Sequence, residues 1–246
     1  MKRGFTLAEV LITLGIIGVV AALIMPGLIA NYQKKTWVTQ LQKSVSVWDN
    51  GIKLAMAEDD VTEIEETKLF QSVGYGTAWG EDTSAFQKEF SKYFNVVKYV
   101  PNYDIFNNNY SQLGFNFTGG MAFADFYSQF EYYHQGLAAY LNDGTKLVLN
   151  LRSQCYGPYC GSVVIDVNGD KAPNKLGRDS FVFAVWKSGN LYAFGSQPID
   201  EFNSEMPYWK NGYSNFCGTE GSKDMTGQSG VGCAARIIDN GWVMDY

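Results

Sequence analysis

Three groups of residues in this chain could do chemistry. The first is a single carboxylate, Glu9, placed a few residues into the apolar stretch "FTLAEVLITLGIIGVVAALIMPGLIANY". In a spanning helix a carboxylate costs about 2.5–3.5 kcal/mol near the bilayer centre and less near the end, so Glu9 calls for a partner. The chemistry open to it is pairing with a cation in low dielectric. The second group is the oxygen set Asp166, Asn168 and Asp170 in "DVNGDKAPNKLGRDSF", with Asn174 and Asp179 further on. Hard oxygens alternating on a tight turn suit calcium. The loop is not an EF-hand, because Lys171 stands where the motif needs Gly and Gly177 where it needs Glu. The same Asn, Asp, Gly and Pro residues also build an ion-free turn. The third group is four cysteines, which allow three pairings. The sequential one, Cys155–Cys160 and Cys217–Cys233, is favoured because each bridge closes a local, turn-rich loop. Zinc is the rival, but neither pair has CxxC spacing and the sole histidine, His134, lies apart.

Catalysis finds little support. His134 sits in "EYYHQG", with no nucleophile elbow beside it, and no Gly-rich phosphate loop is present. The expectation is a protein that is not an enzyme. A net charge of −6 and a pI of about 4.9 disfavour nucleic acid as a partner. Disulfides in turn place the cysteines in an oxidising compartment, periplasm or cell exterior.

The element that must position Glu9 is the apolar run itself. It is roughly two dozen residues long, or about 36 Å as helix, enough to cross a bilayer. A plain anchor satisfies that length but leaves Glu9 unexplained. A secretory signal fits less well, because the run is long and "LIMPGLIANY" offers a poor cleavage site.

The stretch "RGFTLAEVLITLGIIGVVAALIMPGLIANY" resembles the N-terminus of type IV pilins and of the pseudopilins of type II secretion. The resemblance covers about the first 35 residues: leader Gly4, then Phe5, Thr6, Leu7, Glu9 and Pro26 all fall in register. It implies that a prepilin peptidase cleaves between Gly4 and Phe5 and that Phe5 is N-methylated. It also gives Glu9 its partner: the new ammonium of Phe5 on a neighbouring subunit, each group offsetting the other's desolvation. Pro26 is expected to kink or locally melt the helix, since proline lacks an N–H and clashes with the preceding turn.

Beyond the apolar run, Val38, Leu41, Val45, Trp48, Ile52 and Ala55 recur at spacings of three and four. This stripe predicts one helix from about Phe5 to Ala57, on the order of 80 Å long, with its second half covered by a head. The acidic "DDVTEIEETK" reads as a helix start or loop. "EDTSAFQKEFSKYFNVVKYV" reads as a second helix, with Phe86, Phe90, Phe94 and Val97 as its core stripe and Ser84 and Gln87 at capping-box spacing. From about Gly119 the pattern turns to strands. Hairpins are expected at Asn142–Asp143–Gly144 and Ser188–Gly189–Asn190, with "GSVVIDV" as a further strand. "CAARIIDNGWVMDY" reads as a short helix ending near Gly241, with strand as the alternative.

The fold class is therefore α+β: a long N-terminal helix, half transmembrane and half amphipathic, packed on a globular head with an antiparallel sheet. The expected divisions are a leader at 1–4, a transmembrane and filament-core helix at 5–30, its amphipathic continuation at 31–58 and a head at 59–246. The resemblance implies a structural subunit of a type IV pilus-like or type II secretion pseudopilus filament. Its precursor would wait in the inner membrane with the head in the periplasm. Its partners would be other subunits, the peptidase and an inner-membrane assembly platform. A head larger than that of typical major pseudopilins points to a minor or specialised subunit. No cofactor is required, and calcium is the one candidate, because major pseudopilins bind it in a C-terminal loop. The alternative is a membrane-anchored adhesin, for which exposed Tyr and Trp on the side away from the long helix would speak.

Overall fold

The computed structural model describes residues 6–73, 82–104, 135–193, 196, 217, 230 and 232–246, excluding the side chains of residues 102–104, 135, 153 and 156. Two compact units are present, Met1–Thr36 and Trp37–Tyr246. The element order is α1 (Leu7–Glu58), a 3-10 turn (Ile64–Glu66), α2 (Lys68–Gln71), α3 (Ser84–Tyr93), β1 (Val96–Asp104), β2 (Gln135–Leu141), β3 (Lys146–Tyr156), β4 (Tyr159–Asp166), β5 (Ser180–Trp186), β6 (Leu191–Ala193) and α4 (Cys233–Asp239). The fold is α+β.

Helix α1 runs without interruption through Pro26. Of the expected kink or local melting, the melting does not occur. Proline removes one backbone bond, to the carbonyl of Ala22, and the helix continues on the remaining ones. In the second unit the helix buries Val38, Leu41, Ser44, Trp48, Gly51, Ile52 and Ala55, while Val45 stays half-buried. Ser44 and Gly51 belong to this face because small residues let neighbours approach. A Cβ on Gly51 would lie 2.5 Å from Cζ of the Phe94 ring.

The six strands form one antiparallel meander in the order β1-β2-β3-β4-β5-β6. Alternation fixes its two faces. Leu137 and Ala139, Leu147 and Leu149, Val163 and Ile165, and Phe181 and Phe183 point to one side. There they form a single core with Trp48, Ile52, Phe86, Phe90 and Ile237. The opposite face buries Ala138, Val148, Val164, Val182 and Ala184. A sheet covered on both sides explains why β4 is buried at every position and reads in sequence as a nearly continuous apolar run.

Trp48 ties helix to sheet. Its Nε1 donates to the Gly189 carbonyl at 3.1 Å in the β5–β6 turn, where Gly189 has φ +81°. Nearby, Lys43 pairs with Asp143 at 2.8 Å in the β2–β3 turn.

Two expectations on the "EDTSAFQKEFSKYFNVVKYV" stretch are corrected. Helix α3 ends at Tyr93, and Val97 lies on β1, 68% exposed rather than in the core. The β-branched pair Val96–Val97 favours strand there. Ser84 and Gln87 do not form a capping box. The N-cap is Thr83, Asp82 accepts from the Ser84 N–H at 2.9 Å, and Gln87 reaches back to the Thr83 hydroxyl at 2.8 Å. Strand β1 also places the first strand well before Gly119; residues 119–134 lie outside the described residues.

Candidate functional site

The first turn of α1 holds a reciprocal hydrogen-bond pair. The Thr6 N–H and Thr6 hydroxyl both donate to Oε2 of Glu9 at 2.8 Å, and the Glu9 N–H donates to Oγ1 of Thr6 at 3.3 Å. This is a capping box, with Thr6 at the N-cap and Glu9 three residues on. It satisfies free N–H groups of the helix start and sets a negative charge at the positive end of the helix dipole. The sequence signal is the Thr-x-x-Glu spacing of "TLAE". Gly4 and Phe5 lie outside the described residues.

From Leu7 to Ile29 every side chain is exposed except Ala21, which is half-buried. Leu7 is 81% exposed, Leu23 77% and Leu28 68%, far more apolar surface than water tolerates in one patch. The helix is long and apolar enough to cross a membrane, and none of that stretch is buried within the chain. Residues 1–25 match the family model described as the prokaryotic N-terminal methylation motif.

The chain carries the type IV pilin and pseudopilin signature.

Comparison with the curated proteins and with the solved structures found no match. The signature implies a pilin-type protein whose apolar N-terminal helix is consistent with a membrane-anchored precursor. The motif family is structural rather than enzymatic.

In the head, disulfides join Cys155 to Cys160 and Cys217 to Cys233. The first closes the tip of the β3–β4 hairpin. That tip is held by Glu65, which accepts from the Cys155 N–H at 3.0 Å and pairs with Lys187 at 2.6 Å. The Lys187 side-chain bond and the Cys155 amide hold the Glu65 carboxyl below its usual range, against a smaller opposing effect of burial. A depressed carboxyl contributes stability that is present above its unfolded value and lost as pH falls through the folded one. The Glu65 contribution to head stability should therefore be level down to about pH 5 and fall below about 4.3. Urea titrations across this range, with Glu65→Gln for comparison, check it. The variant should be less stable at neutral pH and show a shallower acid slope.

Hydrogen bonds link the oxygen-bearing residues of the β4–β5 loop: Asn168 to Asp166 and Asp179, and Asn174 to Asp179. Both Asp166 and Asp170 face Lys146, at 3.1 and 3.0 Å. Asp179 accepts from the backbone N–H of Asn174 at 2.8 Å and of Lys175 at 2.6 Å, and from Nδ2 of Asn168 at 3.1 Å. Burial pushes the Asp179 carboxyl up against the pull of these donors. Among the described residues no three His, Cys, Asp or Glu side chains group as metal ligands. The loop's carboxylates face N–H and ammonium donors of the chain itself. His134 lies outside the described residues.

Proposed function

We propose that this chain is a structural subunit of a type IV pilus-like or type II secretion pseudopilus filament, and a minor or specialised one. The observation that carries the reading is the methylation motif at residues 1–25, on a helix whose only charge between Arg3 and Lys34 is Glu9. The precursor is held in the inner membrane by α1 with its head in the periplasm. Prepilin peptidase removes Met1–Gly4 and with them the cations Lys2 and Arg3. Phe5 becomes an N-methylated terminal residue. The assembly platform then transfers the helix from lipid into a bundle of like helices, where burial of the exposed apolar face supplies the association energy at about 25 cal/mol per Å². Glu9 sets the axial register by pairing with the ammonium of a neighbouring Phe5. Before that pairing, the Thr6 hydrogen bonds satisfy the same carboxylate within its own chain.

For the adhesin alternative, the aromatics described on the far sheet face include one buried ring, Tyr159, and two half-buried ones, Trp186 and Tyr192. Tyr159 is 6% exposed, and its ring, Trp186 and Tyr192 pack edge-on in a row at 6.5 and 5.3 Å.

Mass spectrometry of the N-terminal peptide from the native host tests the proposal. The expected peptide starts at Phe5 and is one methyl group heavier than its sequence. An intact Met1 in the mature protein would instead make the chain a plain anchored ectodomain. Cleavage after the apolar run would make it a secreted protein.

A further inference from the structure

Calcium sites in filament heads need several oxygens aimed at one point about 2.3–2.6 Å away. In the β4–β5 loop the carboxylates of Asp166, Asp170 and Asp179 already meet the chain's own donors. Lys146 is paired in register with Asp166 across β3 and β4, and both side chains are buried, Lys146 at 2% and Asp166 at 0% exposure. The Lys146 ammonium contacts Oδ2 of Asp166 at 3.1 Å and Oδ1 of Asp170 at 3.0 Å, and lies 5.8 Å from the centre of the Tyr140 ring. Tyr140 donates its own hydroxyl to Asp170 at 3.0 Å. Asn174 is 8% exposed, and its carboxamide faces the Gly169 carbonyl, Oδ2 of Asp166 and the Lys171 carbonyl. Three acceptors on one side assign the amide nitrogen to that side, where it donates at 2.9, 3.2 and 3.3 Å.

We propose that Lys146 is the built-in cation of this loop: its ammonium, helped by the Asn174 carboxamide, does the work that a bound metal ion would otherwise do, and the head folds independently of calcium. Any divalent ion coordinated by Asp166 would sit within a few ångströms of a fixed positive charge bonded to the same oxygen, and the two would repel strongly at low local dielectric. A tethered ammonium is present at every calcium concentration. Its burial is tolerated because two carboxylates and an aromatic face surround it. Asp179 completes the loop from within, by accepting the Asn174 and Lys175 amides.

The test uses the full chain in detergent micelles, melted in excess EGTA and in excess calcium chloride. The wild-type melting temperature is expected to be the same in both. Lys146→Met should lower it by roughly 10 °C, because it leaves Asp166 buried without its cation. Asp166→Asn in the Lys146→Met background should recover part of that loss, which simple loss of lysine packing would not allow. A wild-type melt that rises by several degrees with calcium and falls with EGTA overturns the proposal, as does a Lys146→Met chain as stable as wild type. The wild-type comparison decides the matter even if the variants fail to fold.

Discussion

A chain carrying Glu9→Ala should still insert, lose Met1–Gly4 and fold its head, yet be nearly absent from filaments. Insertion should be unimpaired because the change removes the one charge between Arg3 and Lys34. Cleavage should persist because Gly4 and Phe5 are unchanged. Assembly should fail because the ammonium of a neighbouring Phe5 would enter an apolar helix bundle without a counter-charge. Breaking one side of a buried pair costs about 3–5 kcal/mol, which corresponds to roughly a thousandfold in the association of each subunit. Thr6→Val makes a graded comparison. It removes the hydroxyl that bonds Glu9 at 2.8 Å but keeps the carboxylate, so about 1 kcal/mol of cap energy is lost and assembly should be weakened rather than abolished. Sheared filaments and membranes, blotted side by side, report both variants. Incorporation of Glu9→Ala at the wild-type level would falsify the register role.

The second large effect is expected at Trp48. The ring is fully buried, lies 5.8 Å from Phe94 centroid to centroid, and donates to Gly189 at 3.1 Å. Trp48→Ala opens a cavity between α1 and the sheet at a cost of about 3–5 kcal/mol. It also strands the Gly189 carbonyl, which the β5–β6 turn presents toward the helix. For a unit of this size the melting temperature should drop by roughly 10–15 °C. Trp48→Phe keeps most of the volume and loses only the donor, so about 1–3 kcal/mol is expected. Thermal melts followed by near-ultraviolet circular dichroism separate the two. A Trp48→Ala shift below about 2 °C would mean that this anchor is not what fastens the helix to the head.

Much of this architecture was legible in the chain. Spacings of three and four from Val38 to Ala55 mark the buried face of α1, and turn residues at Asn142–Gly144 and Ser188–Asn190 mark two hairpins. Helix propensity alone did not mark the end of α3. Phe94 continues the four-residue spacing of Phe86 and Phe90, and its ring stacks on Phe90 at 4.0 Å, yet its backbone is already extended. A side chain can thus complete a helical stripe from outside the helix. At the N-terminus, Glu9 stood out because it is a charge among apolar residues. Thr6 did not, because its role lies in a hydrogen bond three residues away. The β4–β5 loop shows a related limit of local spacing. Its oxygens follow an ion-binding rhythm, whereas the cation that meets them, Lys146, comes from a different strand and twenty residues earlier than Asp166 in the chain. Local spacing holds no record of which distant residue supplies the opposite charge.

The sheet's wiring has a temporal consequence. Each of β2 to β6 hydrogen-bonds to the strand just before it in the chain, so among the described strands each pairing needs only the next one along. A polypeptide threaded outward from its N-terminus can add β3 to β2 as soon as β3 is delivered, and likewise onward to β6, with short loops to close at most steps. The thiols follow the same schedule. Cys155 and Cys160, five residues apart, can oxidise before Cys217 has emerged, and Cys217 then pairs with Cys233. Emergence order therefore favours the observed pairing among the three possible ones.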